Sequence, residues 1–543
     1  GKRQYYTLAM SLHSARGQWA VALCHNGAEF VGLHDGSGVH LNEVNLAEDT
    51  EIGKIARKVY QQNPAEFSFR QRFLLFMARV RLTIRLIRAL SRIVYILFRP
   101  AILAVASSVV LAKIWNDRHG ILDKIQARSR FIPWLLALDV TVFNELRWLI
   151  NDPVHRLDWF GHGHYKTKPG LYYAKNFNKT PAMNRTMHIL QGCNFFKDVV
   201  SYKSPRWMLH GDLRTVVPTI AYQSKPLVYT RFCFKSSRRA DPHLVTLDFA
   251  FPDEAVVSEP QPLVLLMAGV GGDSNAPYMR DLVAACTARN WIACVLLARG
   301  LGSALHVYSA ETLFNPTDTG DALDTMNFLN KLFPNNPILL AGVSMGGLAL
   351  CNILGRHAEE IPSSVKGCVT ISAGFKCDMF NWSRYKEVYQ PLIVAEILRE
   401  VIGRYGHTFE DAKLTLNTVL ASRDYAGFYH NFFAYLPSVP GCGPVSSTSR
   451  DAAFNEWKTL QEGEVFRKDV NIPLLVFASN DDPLHHPDLV GVETSVYRFD
   501  NPNVVYLLTS EGGHVGWPNK PWPTDFSFLT DVAMRFLEAA LQE

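Results

Sequence analysis

The chain has 543 residues, 48% of them hydrophobic, so it is long enough for several domains and for a sizeable core. Its 55 Lys and Arg residues nearly balance 50 Asp and Glu residues, and a net charge of +5 is too small to indicate a nucleic-acid partner. Nine cysteines without a C-x-x-C pair indicate reduced, mostly buried thiols in a non-oxidising compartment rather than a disulfide framework.

The amino-terminal part is predicted to form an arm over residues 1–65, followed by membrane-associated helices over 66–150. The first twenty residues are basic and lack acids, which is typical both of targeting segments and of ordinary basic arms. Residues 67–116 hold eight arginines and one lysine without a carboxylate. Four of the arginines recur at helical spacing among apolar residues, which predicts a basic amphipathic helix: Arg81, Arg85, Arg88 and Arg92.

The apolar run from Ile93 to Leu111 is interrupted by Arg99 and Pro100. Its unbroken part is shorter than the roughly 20 residues that a spanning helix requires. Interfacial or partly inserted attachment is therefore the first interpretation, a spanning helix the second, and a core helix of a soluble domain the third. An intracellular membrane is expected, with mitochondrion, plastid and endoplasmic reticulum all open.

Residues 151–204 are interpreted as a connecting region, and 205–543 as an α/β domain. Apolar runs that read as strands buried on both faces predict a mostly parallel sheet flanked by helices. These runs are 262–268, 292–298, 337–342, 367–372, 473–479 and 503–509. The alternation lapses between about 379 and 465, which predicts a helical cap inserted over the carboxyl ends of the strands.

Ser344 lies in GVSMGG, where Gly342 and Gly346 flank it in the pattern G-x-S-x-G. The apolar run before it and the helical stretch after it give the order strand, turn, helix, which exposes a serine at a sharp turn. A serine hydroxyl is a poor nucleophile unless a base removes its proton. The pattern in this context therefore predicts Ser344 as a nucleophile.

His514 is the candidate base, because it follows an apolar run and two glycines that leave room for a loop folding over Ser344. The group that orients the imidazole is expected after an earlier strand, where Asp481 and Asp482 are adjacent. Asp482, which precedes a proline, is preferred, and Asp481 remains the alternative. The resulting chain order is Ser, Asp, His.

The oxyanion of an acyl-transfer reaction needs hydrogen-bond donors. The backbone N–H of Met345 and that of Val270, in the glycine-rich loop MAGVGGDS, are the candidates. This loop lacks the G-x-G-x-x-G spacing and downstream acid of a dinucleotide site, so no cofactor is expected. The histidines in HRLDWFGHGHYK do not match a closed zinc pattern, so no metal is expected either.

From about residue 205 onward the chain resembles the α/β-hydrolase-domain lipases and esterases, which include plant embryogenesis-associated proteins and bacterial and animal relatives acting on acylglycerols and phospholipids. The motifs that carry the resemblance are RWMLHGDLRTVVP, YTRF, VTLDF, AGVGGDSNAPYMRDLV, LLARGLG, GVSMGGLAL, FASNDDP and GGHVGW. The chain departs from the family at Ala268, where a histidine usually opens the oxyanion loop. It also departs before the Arg-Gly pair, where the family usually has an asparagine two places earlier and here Ala298 directly precedes Arg299.

The sequence thus predicts a membrane-associated serine hydrolase of lipid esters, with the membrane surface as a partner and no nucleic acid. Many animal members of the similar family carry an amino-terminal anchor, which agrees in kind with the predicted helices. The alternative is a hydrolase-like accessory subunit of a larger membrane protein complex with little or no activity. The long amino-terminal region motivates that second hypothesis.

Overall fold

A computed structural model describes most of the chain from residue 168 onward. The described ranges are 168–174, 180–222, 224–238, 244–252, 260–304, 313–315, 317–373, 389–405, 416–422, 425–432, 469–484, 501–522 and 525–543, with 20–25, 28–33 and single residues 84, 87 and 455. The predicted helices over 66–150 therefore lie outside the described residues apart from Ile84 and Ile87, which are helical and exposed. Among the described residues, no helix has the length and apolar content that crossing a membrane requires.

Within these ranges eleven strands form one sheet in the order β1-β2-β4-β5-β7-β6-β8-β9-β10-β11-β3. The strands are β1 (Ala20–His25), β2 (Ala28–Leu33), β3 (Gly170–Tyr173), β4 (Thr230–Lys235), β5 (Leu244–Ala250), β6 (Leu263–Met267), β7 (Ile292–Leu296), β8 (Ile338–Val343), β9 (Val365–Ile371), β10 (Leu474–Ser479) and β11 (Val504–Thr509).

The centre of the sheet, from β7 to β11, is parallel throughout. All six of its strands coincide within two residues with the apolar runs predicted from sequence, and nearly every residue in them is buried. This pattern arises because helices cover both faces of a parallel sheet. Antiparallel strands extend the two edges, β5, β4, β2 and β1 on one side and β3 on the other.

The described residues form the helices α1 (Pro181–Gly192), α2 (Phe196–Val200), α3 (Gly211–Ala221), α4 (Pro277–Thr287), α5 (Gly320–Leu332), α6 (Met345–Arg356), α7 (Gln390–Tyr405), α8 (Leu416–Ala421), α9 (Tyr425–Asn431) and α10 (Ser527–Leu541). Residues of α5 and α6 belong to one buried apolar cluster, and residues of α1, α2, α4 and α10 belong to another. Alternate strand residues point into the two clusters, as the period of a β-strand requires.

The region predicted as a connection, 151–204, contributes β3, α1 and α2 to this sheet and core among its described residues. The predicted cap contributes α7, α8 and α9, and the rest of 379–465 lies largely outside the described residues. The expected fold class, a mostly parallel sheet flanked by helices with a helical insertion, is confirmed. In this fold, chain segments that follow β6, β8, β10 and β11 meet at one edge of the sheet.

Candidate active site

Ser344 connects β8 directly to α6 in a strained backbone conformation, with φ of 53° and ψ of −118°. A non-glycine residue at positive φ costs about 1–3 kcal/mol and persists only where the surroundings impose it. Here the Ser344 N–H donates to the Ile371 carbonyl at 2.8 Å, and its own carbonyl accepts from Leu348 at 3.1 Å. The turn therefore presents the Ser344 side chain at the carboxyl edge of the sheet.

Gly342 and Gly346 make this turn possible. A Cβ at Gly346 would lie 2.3 Å from the Met267 carbonyl oxygen, and one at Gly342 would lie 2.6 Å from the Gly346 carbonyl oxygen. The first turn of α6 therefore packs directly against the end of β6. The glycines selected from the sequence pattern are required by this close backbone approach.

His514 lies in the loop after β11, with its Nε2 3.1 Å from the Ser344 Oγ. Its Nδ1 lies 2.8 Å from the Asp482 Oδ2, so the imidazole bridges the serine and this carboxylate. The other Asp482 oxygen, Oδ1, accepts the Leu484 N–H at 2.8 Å. The structure thus brings together the three side chains that the sequence selected, from the ends of three different strands.

Asp481, the alternative acid, makes different contacts. Its Oδ2 accepts from the Arg214 Nη1 at 2.5 Å, and its Oδ1 accepts the Gly513 N–H at 2.9 Å. Burial raises the pKa of this carboxyl, and the Arg214 charge and the two hydrogen bonds partly oppose that rise. The two adjacent carboxylates therefore serve different partners, and it is Asp482 that contacts the imidazole.

The two predicted oxyanion donors line one cleft, together with Gly269, Gly271 and Gly272. The Gly269 N–H donates to the Tyr278 hydroxyl at 3.1 Å, and burial raises the pKa of Tyr278 to about 12, so that hydroxyl stays neutral. Neither the Val270 N–H nor the Met345 N–H donates to an acceptor among the described residues. Met345 is the first residue of α6, where backbone N–H groups lack partners within the helix.

The space among the residues that line this cleft is about 790 Å³, a volume that includes open solvent. Leu301, Phe314 and Ile397 give it an apolar lining, and Glu400 of α7 adds a carboxylate. Helix α7 closes one side because the Glu400 Oε1 accepts the Gly302 N–H at 2.6 Å and the Tyr405 hydroxyl donates to the Gly300 carbonyl at 2.7 Å. The predicted cap thus contacts the LLARGLG segment through α7.

Sequence reasoning missed the side chains that fix the His514 loop. The His514 N–H donates to the Thr215 Oγ1 at 2.8 Å, the Val515 N–H donates to the Ser372 Oγ at 3.0 Å, and the Ser479 hydroxyl donates to the Gly513 carbonyl at 2.9 Å. The sequence contained a signal for Thr215, which lies in the segment RWMLHGDLRTVVP. That segment is one of the motifs shared with the similar family, although it has no evident role in the chemistry.

No protein-family model matches the chain. The chain is similar to human phospholipase ABHD3, with 22% identity over 430 residues that cover 75% of this chain and 98% of the relative. It is also similar to the monoacylglycerol lipase of Saccharomyces cerevisiae, with 24% identity over 282 residues, 49% of this chain and 57% of the relative. The chain is also similar to the solved structure of Est1E from Butyrivibrio proteoclasticus, with a TM-score of 0.34 and 12% identity. That alignment covers 57% of this chain and 99% of the Est1E chain.

The sheet order and the serine turn together identify the fold. The chain has the α/β-hydrolase fold, and the sequence relatives to which it is similar are lipases. The resemblance stated from its motifs is confirmed. In this α/β-hydrolase the departure at Ala268 leaves the oxyanion loop intact, because Gly269 and Val270 still line the cleft beside Met345.

Proposed function

We propose that this α/β-hydrolase cleaves carboxylic esters of lipids through Ser344, His514 and Asp482, at a membrane surface. The observation that carries the proposal is the hydrogen-bond chain from the Ser344 hydroxyl through His514 to Asp482, at 3.1 and 2.8 Å. Such a chain supplies the nucleophile, the base and the group that holds the base in one tautomer.

In the proposed reaction, the Asp482 carboxylate accepts the His514 Nδ1–H, which leaves Nε2 free to accept the Ser344 proton. The Ser344 Oγ then bonds to the ester carbonyl carbon, and the Met345 and Val270 N–H groups stabilise the oxyanion. His514 returns the proton to the departing alcohol as the carbon–oxygen bond breaks. Water, deprotonated by His514, adds to the acyl-enzyme, and Ser344 leaves with the proton as the carboxylic acid is released.

Two features support lipid esters as substrates. The cleft beside Ser344 has an apolar lining of Leu301, Phe314 and Ile397, which suits an acyl chain. The named relatives also act on lipids, since one is a phospholipase and another a monoacylglycerol lipase. We therefore propose an acylglycerol or phospholipid substrate, without cofactor or metal.

The proposed membrane surface has support in the described part of the chain. Trp207 and Trp522 stack with their ring centroids 5.9 Å apart, and they are 42% and 61% exposed. Leu209, 58% exposed, lies two residues from Trp207. Exposed Lys203 and Lys520 lie on the same two segments, 202–209 and 518–522. Tryptophans beside lysines are typical of surfaces that contact lipid headgroups.

The first test compares hydrolysis of phospholipid and monoacylglycerol vesicles by the parent, Ser344→Ala and Ser201→Ala. Ser201 is an exposed serine that donates to the Asp198 carbonyl, so it is a matched control without a base. The expected result is loss of lipid-ester turnover in Ser344→Ala alone. Turnover at the parent rate in Ser344→Ala rejects the proposal.

The second test addresses the membrane surface with the double variant Trp207→Ala/Trp522→Ala. Turnover on vesicles is expected to fall, while turnover of a short, water-soluble ester is unchanged. Phe251→Ala is the control, because Phe251 is also exposed but lies away from the site. It follows Ala250, which pairs with Ala293 at the amino end of the parallel strand β7, whereas the site lies at the carboxyl ends of the parallel strands. An equal loss on both substrates, or no loss on vesicles, contradicts docking through these tryptophans.

A further inference from the structure

We propose that helix α3 is the positioning element of the site: Thr215 holds the backbone of His514, while Arg214 binds Asp481 and so leaves Asp482 as the acid that contacts the imidazole. This inference rests on the proposed function, since it assigns positioning residues to that reaction. Neither residue contacts the serine, so both act through other groups. The inference concerns the part of α3 that lies within RWMLHGDLRTVVP.

Thr215 links the His514 loop to the helix backbone. Its Oγ1 accepts the His514 N–H at 2.8 Å and donates to the Gly211 carbonyl at 2.7 Å. This hydroxyl thus uses both its donor and its acceptor capacity in fixed directions. A displacement of the His514 backbone would weaken this contact, because a hydrogen bond becomes much weaker when its angle falls below about 120°.

Helix α3 packs closely against two loops, the acid loop after β10, which carries Asp481 and Asp482, and the histidine loop after β11, which carries His514. A Cβ at Gly211 would lie 1.7 Å from the Asp481 carbonyl oxygen, and a Cβ at Gly516 would lie 2.0 Å from the Arg214 carbonyl oxygen. Gly513, at φ of 65°, likewise faces the Thr215 Oγ1. The backbone of α3 therefore contacts both the acid loop and the histidine loop, and it fixes their separation.

Arg214 joins the same two loops through charge. Its guanidinium contacts the Asp481 Oδ2 at 2.5 Å, the Glu511 Oε2 at 3.2 Å and the Ser204 Oγ at 2.6 Å. Arg214 and Asp481 are both buried, so the pair is shielded from solvent. A buried carboxylate without its partner is strongly unfavourable. Asp481 therefore stays paired with Arg214 and does not turn toward the imidazole.

The network therefore gives two adjacent carboxylates different tasks. Asp481 binds Arg214 and the Gly513 N–H, one residue before His514, while Asp482 binds the His514 ring. Without α3, nothing in the order of the two aspartates would prevent either from approaching the histidine. We infer that α3 selects the acid and sets the imidazole position at the same time.

The test compares Thr215→Val with Thr219→Val. Both threonines lie on α3, and both donate to the carbonyl four residues earlier. Thr219 is exposed, however, and within the described part of the chain its hydroxyl bonds to the Thr215 carbonyl alone. Thr215→Ser keeps the hydroxyl and serves as the conservative variant. Thr215→Ala replaces the valine variant if that protein does not fold. The readouts are kcat and KM for a soluble ester and the low-field proton resonance of the hydrogen bond between His514 and Asp482.

Thr215→Val is expected to lower kcat by roughly 100-fold with little change in KM, because a misplaced catalytic group loses rate rather than binding. The low-field resonance should shift or broaden, Thr215→Ser should recover most of the activity, and Thr219→Val should match the parent. Equal kcat values for Thr215→Val and Thr219→Val overturn the inference. That failure is distinct from failure of the proposed function, which would appear as unchanged turnover in Ser344→Ala.

The charge part is tested by Arg214→Met and by the double variant Arg214→Met/Asp481→Asn. The single change leaves Asp481 buried without its cation and should reduce kcat, whereas the added asparagine should recover part of the loss. If the double variant is no more active than the single one, Arg214 does not act through Asp481, and that half of the inference is wrong.

Discussion

Replacement of Gly346 by alanine should damage the site through a contact that the structure specifies. The new Cβ would lie 2.3 Å from the Met267 carbonyl oxygen and 2.6 Å from that of Ala268, whereas real Cβ contacts are almost never under 3.0 Å. The end of β6 must therefore move by at least about 0.7 Å relative to α6. Since Val270 lies two residues after Ala268, this displacement also moves one oxyanion donor.

The expected magnitude follows from two opposing effects. Overpacking costs about 1–3 kcal/mol, and alanine in place of glycine in a helix returns up to about 1 kcal/mol, so the variant should lose up to about 3 kcal/mol of unfolding free energy. A shift close to 1 Å in a catalytic donor should lower kcat by roughly 10- to 100-fold. Urea denaturation and ester turnover measure the two effects.

Gly403→Ala is the matched control for this prediction. Gly403 lies within α7, and nothing lies within 4 Å of its ideal Cβ. Alanine there should raise the unfolding free energy by about 0.5–1 kcal/mol through the helix preference alone. The reasoning is refuted if Gly346→Ala matches Gly403→Ala in stability and matches the parent in turnover.

Two further predictions concern the acids and the thiols. Asp482→Asn should lower kcat by about 10⁴-fold, as loss of a triad carboxylate does, while Asp481→Asn should lower stability more than kcat. Steady-state kinetics measures the first effect and urea denaturation the second. An equal loss of kcat in the two variants would contradict the assignment of Asp482 as the acid. Burial raises the pKa of Cys286 to about 12 and those of Cys294 and Cys368 well above the ordinary value, so their thiolates are scarce at pH 8. Iodoacetamide should label these three cysteines only after denaturation, and peptide mass spectrometry showing rapid labelling of the folded chain would contradict their burial.

The central sheet was predictable because each of its strands is buried on both faces and therefore reads as a continuous apolar run. The serine turn was predictable as well, since Gly342 and Gly346 stand where the backbones of β8, α6 and β6 come closest. The edge strands were harder to predict. Strand β3, GLYY, is four residues long, and among the described strands it pairs with β11 alone, more than 300 residues later in the chain.

The sequence favoured Asp482 because a proline follows it, but it did not indicate what binds Asp481, because that contact is distant in the chain. Arg214 lies 267 residues before Asp481, and no local sequence pattern around either residue predicts that they form a pair. The same holds for Thr215 and the His514 N–H, which are 299 residues apart. Long-range hydrogen bonds of this kind depend on the folded sheet bringing α3 to the acid and histidine loops.

The most direct measurement of the central claim is labelling with a fluorophosphonate probe under native conditions, comparing the parent, Ser344→Ala and the control Ser201→Ala. Only a serine activated by a base and reachable from solvent reacts with such a probe. We expect strong labelling of the parent and of Ser201→Ala and none of Ser344→Ala. Absence of labelling in the well-folded parent, or labelling that persists in Ser344→Ala, would contradict Ser344 as the working nucleophile.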